Sequence, residues 1–305
     1  MNIEHNSSSS KNIMLPGFEN REMSCELKER HLPDEIFCYP RVDAWQDRMW
    51  SMMSDLVTEE VKAEFIRNPP EFLASDDLSW LDEIIESIKG EWYDIKVLTA
   101  ERIKTGYRAF RMYHSTRTDD LSSFYTHGLK IPNNSEIEDK ARVLFLNGQF
   151  QSATETTLSE AIDDLNAGEF SYRSDEKARA YCCANERDFL TRSGGSGHYL
   201  DFGSEYLFNL GIRLVGKYKA QRTLRTVGRP TIFQVDVPMN LVSSYTVEEF
   251  AGCMLEYSFC KLLPDREPYA FSPGAGSGVI LRYPIPKEAI TSHFHPKKFY
   301  HAHQF

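Results

Sequence analysis

The six cysteines of this chain include no CxxC pair, so a zinc ribbon or a thioredoxin-type site has no support. They are scattered, with Cys182 and Cys183 adjacent, and reduced thiols in a cytosol are the simpler reading. No apolar run is long enough to span a bilayer, and no membrane association is expected. The first residues, MNIEHNSSSSKN, lack the apolar stretch of a secretory signal, so the expected location is cytoplasmic. There is no internal repeat. Positive charge is the minority: 35 Lys and Arg stand against 45 Asp and Glu, a formal net charge of −10. That balance disfavours generalised nucleic-acid binding.

What is present is the composition of an ordinary globular protein, with 305 residues to bury an ample core. Residues 1–20 are polar and Ser-rich and read as a flexible tail. Residues 21–105 read as a helical region, either a layer against the following domain or a small domain of its own. From Val42, the residues Trp45, Met49, Met53, Leu56, Val57 and Val61 recur at helical spacing, and the run ends near Asn68-Pro69-Pro70. Such a Met and Trp stripe is core packing rather than a ligand box. Ser79 to Lys89 is a second helix with Gly90 as its stop.

Residues 106–305 read as one mixed domain. Tyr107 to His114 is a partly buried strand with Phe110, Met112 and His114 on one face. Thr118 caps a short helix, Asp119 and Asp120 lie in its first turn, Leu121, Phe124 and Tyr125 form its buried stripe, and Gly128 closes it. Thr157-x-x-Glu160 and Thr246-x-x-Glu249 are spaced as capping boxes. Ser174 opens a helix running toward Thr191, which buries Ala178, Tyr181, Cys182 and Phe189; the two cysteines serve there as small hydrophobes. His198-Tyr199-Leu200 is expected to be a short strand after a glycine-rich turn with Gly194, Gly195 and Gly197, and Ser204 opens the next helix. Between Arg213 and Arg229 lie Lys217, Lys219, Arg222 and Arg225 with no acidic residue. This is either a phosphate-seeking surface or a solvated helix face. Thr231 to Val237 is a strand, and Gly278 to Pro286 is expected to be the last one. Glu248, Glu249 and Glu256 are surface carboxylates of an amphipathic helix. His293, His295, His301 and His303 near the end include His-x-His pairs, but with no third ligand placed no metal is expected.

Two of these units resemble the ADP-ribosyltransferase fold in its PARP-like His-Tyr-Glu branch. The first is His114-Ser115-Thr116 followed by Gly128-Leu129, where the family has His-Gly-Thr or His-Gly-Ser and then Gly-Leu; Ser115 departs from the usual Gly. The second is the stretch from Gly197 to Tyr206. The resemblance implies an α+β fold whose split, mostly antiparallel sheet holds NAD, with an N-terminal helical region and helical insertions. It further implies that His114 bonds the adenosine-side ribose, that the backbone at Ser115 binds the nicotinamide amide beside Thr116, and that Tyr199 stacks on nicotinamide. Gly197 would be the small residue before that platform, Ser204 the nicotinamide-binding Ser, and Tyr206 a second aromatic wall. The family's Glu should lie near Ser277, Gly278 and Val279, and none is there. Glu205, by proximity, or Glu267, from a loop, is the substitute on this reading.

The function so implied is mono-ADP-ribosyl transfer: cleavage of NAD at the nicotinamide bond, with ADP-ribose passing to an unidentified protein or RNA acceptor, or to water. NAD is then a substrate and no metal takes part. Such an enzyme would suit an intracellular modifier, a toxin or a defence effector. Chain elongation is disfavoured without the Glu. The alternatives are an inactive binding module for a nucleotide or protein partner, and an RNA-directed transferase that uses the basic stretch.

Overall fold

A computed structural model of the chain describes residues 32–131, 133–167, 179–191, 195–269 and 276–300. The expected tail, Gly168, the start of the helix placed at Ser174, Ala178, Gly194, His301 and His303 lie outside the described residues. In chain order the elements are β1 (Ile36–Phe37), α1 (Val42–Met52), α2 (Glu59–Arg67), α3 (Ser79–Lys89), α4 (Ile95–Gly106), β2 (Ala109–Thr118), α5 (Leu121–His127), α6 (Asn134–Phe145), α7 (Glu155–Ala167), β3 (Ala180–Cys183), α8 (Arg187–Leu190), α9 (His198–Phe202), α10 (Glu205–Val215), α11 (Lys217–Leu224), β4 (Arg229–Pro238), α12 (Ser244–Cys260), β5 (Gly278–Leu281) and β6 (Ile290–Phe294).

The fold is mixed α and β around one sheet of order β5-β3-β2-β4-β6. Every neighbour in that order runs antiparallel, and short β1 lies parallel beside the start of β2. β2 and β4 pair over their full length, from Ala109↔Pro238 to Thr118↔Arg229. The other edge of β2 is shared. β1 takes Ala109 and Phe110, β3 meets β2 at Tyr113↔Cys183, and β3 then departs from it. The last residues of β2 are bounded instead by the turn after α9, where the Thr116 hydroxyl donates to Gly203 O at 3.3 Å.

Alternation assigns the two faces. Phe110, Met112, Phe233, Val235 and Val237 point to the main core. Helices α1 to α4 and α12 cover that face through Trp45, Met49, Phe65, Leu81, Ile103 and Phe259, all essentially without solvent exposure. The Met and Trp stripe is therefore packing, as spacing implied. On the other face Cys183, Phe189, Leu200, Ile232 and Phe294 form a smaller cluster. Helices α6, α7, α10 and α11 close a separate core around Phe145, Leu158, Tyr206 and Leu210.

Several elements differ from the sequence reading. The run beginning at Val42 is two helices, because the chain turns after Met53 and Thr58 caps α2 by accepting from Val61 N. Helix α3 spans the residues its pattern predicts, with Gly90 in the left-handed conformation at φ 74°. Asp120, not Thr118, caps α5, since its carboxylate accepts from Ser123 N at 3.1 Å. No residue of α5 is fully buried: Phe124 packs on Phe233 and Tyr125 stays 39% exposed. The box at Thr157 belongs one turn earlier, with Thr154 and Thr157 exchanging backbone-to-hydroxyl bonds. Likewise Ser243 accepts from Thr246 N and caps α12.

Residues 180–183, expected within a helix, form a strand between β2 and β5, where Tyr181 and both cysteines gain cross-strand partners. His198-Tyr199-Leu200, expected as a short strand, lies instead in a helical turn, His198–Phe202, built on Ser196 O and Gly197 O. It buries Leu200 and Phe202, and that tertiary burial outweighs local β-propensity. The closing strand stops at Leu281. Beyond it Ile285 makes a single bridge to Leu129, and β6 follows as the sheet edge. Glu256 is buried, not on the surface, and accepts from Tyr269 N at 2.7 Å.

Candidate functional site

The site lies where β3 leaves β2. His114 is central on β2, and its cross-strand partner Phe233 belongs to the main core. Its Nδ1 lies 2.8 Å from the carbonyl oxygen of Tyr181, across the widening gap. A carbonyl oxygen only accepts, so Nδ1 carries the proton and Nε2 remains an acceptor. Burial lowers the imidazole pKa below its usual 6.5, opposed by the bond to Tyr181.

The next residue, Ser115, faces the other way. It is buried, and its hydroxyl has no hydrogen-bond partner among the described residues. On that same face the Tyr181 ring stacks on Tyr199, with centroids 5.1 Å apart and planes at 19°. Burial chiefly, and then the negative charge of Glu205, hold the Tyr199 phenol above its usual range, while Arg179 draws it down. Glu205 is exposed at the first position of α10. An aromatic pair that feels one carboxylate and one guanidinium suits a flat, polar ligand.

The residues singled out in the sequence thus divide. Ser115, Tyr199 and Glu205 gather on or beside the face that carries Tyr181, whereas Thr116 alternates onto the face of His114 and spends its hydroxyl on Gly203 O. His114 reaches the same point from the opposite face, through the Tyr181 carbonyl. Ser204 spends its hydroxyl as the cap of α10, accepting from Leu207 N at 3.3 Å. Tyr206 turns into the helical core, where its hydroxyl donates to Glu138 Oε1 at 2.9 Å; it does not wall the Tyr199 ring. The space beside Gly197 is filled by the carbonyl of Tyr300, 2.8 Å from where a Cβ would stand, rather than being open to a ligand. Glu267 follows α12, is 92% exposed and pairs with Lys261 at 3.6 Å.

Three neighbours went unnoticed in the sequence. Tyr181 was hidden inside a helical pattern. Ser196 is buried, 3.0 Å from the Tyr181 hydroxyl. Asp188, 6% exposed on α8, accepts from both the backbone N and the hydroxyl of Ser277, at 2.7 and 2.8 Å. No local signal marked it, since Asp188 follows the polar run Asn185-Glu186-Arg187 and its donors come from Ser277, far along the chain.

No family model, no curated protein and no solved structure matches this chain.

The site is therefore read from its own chemistry. Among the described residues no group of three or more His, Cys, Asp or Glu is arranged to hold a metal. His293 and His295 have rings 5.4 Å apart, but their Nδ1 atoms face Tyr125 and Thr231. No helix among the described residues is long and apolar enough to cross a membrane. Cys182 and Cys183 are buried and free of disulfides, and burial pushes the Cys182 thiol up to about 12, so neither is an activated nucleophile.

Proposed function

We propose that the gap between β2 and β3 binds NAD and that the protein is a mono-ADP-ribosyltransferase of the PARP-like fold, cytoplasmic in location. The observation that carries the reading is the convergence of His114, Ser115 and the Tyr181–Tyr199 stack where an antiparallel sheet parts. The stack, with the His198 ring 4.1 Å from Tyr199 beside it, would give nicotinamide an aromatic wall. His114 Nε2 is free to accept from a ribose hydroxyl, and the Ser115 hydroxyl is a buried polar group that a ligand amide would satisfy. Glu205 is the carboxylate whose charge bears on Tyr199 and would stabilise the positive ribose as nicotinamide departs. The C1′–N bond breaks with its electron pair leaving on nicotinamide. The acceptor nucleophile, or water, forms the new bond at C1′ and loses its proton to solvent.

The test is nicotinamide release from NAD by wild type, His114→Ala and Tyr199→Ala, each checked for folding. Release abolished by both substitutions is the expected result. Absence of release from wild type, with cell extract supplied as acceptor source, would discard the transferase. A second reading, a binding module without turnover, is favoured by one observation: no carboxylate stands at Ser277, Gly278 or Val279. Calorimetric NAD binding without nicotinamide release would select it.

A further inference from the structure

The edge of the sheet remote from β3 and β5 carries a second group of polar side chains. Strand β6 pairs with β4 through Ile232↔Phe294 and Phe233↔His293. Alternation puts His293 and His295 on one face, together with Arg229 and Thr231 of β4. The two imidazole rings lie 5.4 Å apart, centroid to centroid. Helix α5 roofs them: Phe124 stacks on Phe233, and the Tyr125 ring meets the His293 ring edge-on at 5.6 Å.

Each imidazole is anchored through Nδ1. His295 Nδ1 lies 3.1 Å from Thr231 Oγ1 and 3.2 Å from Pro230 O. The Thr231 hydroxyl donates its own proton to Arg229 O at 3.0 Å, so both oxygens accept and His295 Nδ1 carries the hydrogen. His293 Nδ1 stands 2.6 Å from the Tyr125 hydroxyl. The phenol O–H is the stronger donor of that pair, which leaves the hydrogen of the neutral His293 ring on Nε2. Among the described residues neither Nε2 makes a hydrogen bond, and the Arg229 guanidinium makes no hydrogen bond or ion pair. Burial lowers the His293 pKa below 6.5, and the charges of His295 and Arg229 lower it further. The titratable or charged groups facing His293 are thus Tyr125 on α5, Arg229 on β4 and His295 on β6, while His114 lies two strands away behind Phe233. Among the described residues no carboxylate offsets the positive groups that act on His293.

We propose that His293, His295 and Arg229 bind a phosphate monoester group, with Tyr125 and Thr231 as the residues that orient the two imidazoles. The site shares no residue with the gap between β2 and β3 and stands apart from the NAD reading. A guanidinium presents two parallel donors to phosphate oxygens. His293 Nε2–H gives a third donor, and His295 Nε2 gives a fourth once it takes up a proton. A doubly charged tetrahedral group uses all of them, whereas a carboxylate has one charge and two oxygens. A metal cation is opposed by the guanidinium, and among the described residues no third ligand joins the two histidines.

The experiment follows the histidine ring C–H signals of the full chain by NMR from about pH 5 to about pH 8. Sulfate is the first probe, because its double charge does not change over that range, and sodium chloride of equal ionic strength is the blank. His293→Gln and His295→Gln assign the two signals. Sulfate should raise both apparent pKa values, since an anion that prefers the charged ring must favour its protonation, and chloride should not. Arg229→Gln removes no hydrogen bond of the fold and should weaken sulfate binding by on the order of tenfold. Lys89→Gln, an exposed cation at the end of α3, should bind as wild type does. Inorganic phosphate and adenosine 5′-monophosphate are then compared at about pH 7.5, where each is mainly doubly charged. Equal affinity assigns the site to the phosphate group alone, and tighter binding of the monophosphate assigns it to a nucleotide. No sulfate-specific shift at about 20 mM, or an equal shift in Arg229→Gln, overturns the site. Binding of inorganic phosphate with none of the monophosphate overturns the monoester as its ligand.

Discussion

His114 carries the most direct residue-level consequence. Burial holds its imidazole neutral and places its folded pKa below 6.5, whereas the unfolded chain titrates near that value. As pH falls through this window the unfolded state takes up more protons than the folded one. This contribution to stability is complete above pH 6.5 and declines below it. Melting temperatures recorded from about pH 8 to about pH 5 should fall on the acid side, and His114→Gln should flatten that fall. An unchanged acid slope in His114→Gln would place the titrating group elsewhere. Tyr199 gives a second test. Tyr199→Ala removes the ring stacked on Tyr181 and should destabilise by about 3 kcal/mol, within the range for losing a large packed side chain. Chemical denaturation checks this, and a midpoint equal to wild type would show that the stack contributes little to the fold.

At the level of elements, two residues hold turns in place. Arg117, at the end of β2, donates to four carbonyls: Val227 at 2.9 Å, Leu200 at 3.0 Å, Arg225 at 2.6 Å and Gly228 at 2.8 Å. It thereby ties α9 to the turn before β4. Arg117→Met leaves those oxygens short of donors and should cost roughly 2–4 kcal/mol, measurable by urea unfolding with the m-value unchanged. Gly128 sits at φ 79°, and a Cβ there would overlap Ile285 O. Gly128→Ala should therefore cost more than about 2 kcal/mol by strain and by loss of the Leu129–Ile285 bridge. That glycine was legible, because a Gly directly after a short helical stripe is the residue that takes positive-φ backbone at a helix stop cheaply. Helix α3 and strand β4 were equally legible from period and caps. The strand at Tyr181 was not, because Ala-Tyr-Cys-Cys gains its pairing from β5, nearly a hundred residues later in the chain. The same cause hid part of the site: Asp188 is held by Ser277, which sequence places far away. The helix at His198 was misread because its residues favour strands locally and are overruled by burial of Leu200 and Phe202.

Across the whole molecule, charge is distributed against the net sign. The chain carries −10 overall, yet Lys217, Tyr218, Lys219 and Arg222 stand exposed on α11, with Tyr218 76% accessible. Arg225 is not part of that face in the same sense. It pairs with Asp201, whose carboxylate is fully buried, at 3.2 and 3.3 Å. Replacing Arg225 would leave a buried charge without its partner and would damage the fold, so it is the wrong probe for RNA. Lys219 and Arg222 have no such duty among the described contacts. If RNA is the acceptor, Lys219→Glu with Arg222→Glu should weaken its binding by on the order of tenfold at about 0.1 M salt and reduce the salt dependence, since each cation releases a counterion on contact with phosphate. Nicotinamide release into water should stay at the wild-type rate, because the gap beside β3 is built by other elements. Equal loss of RNA binding and of release would mean that the charge reversal disturbs α9 and α10 rather than a target surface. RNA affinity unchanged by the reversal would remove α11 as the target surface and favour a protein acceptor.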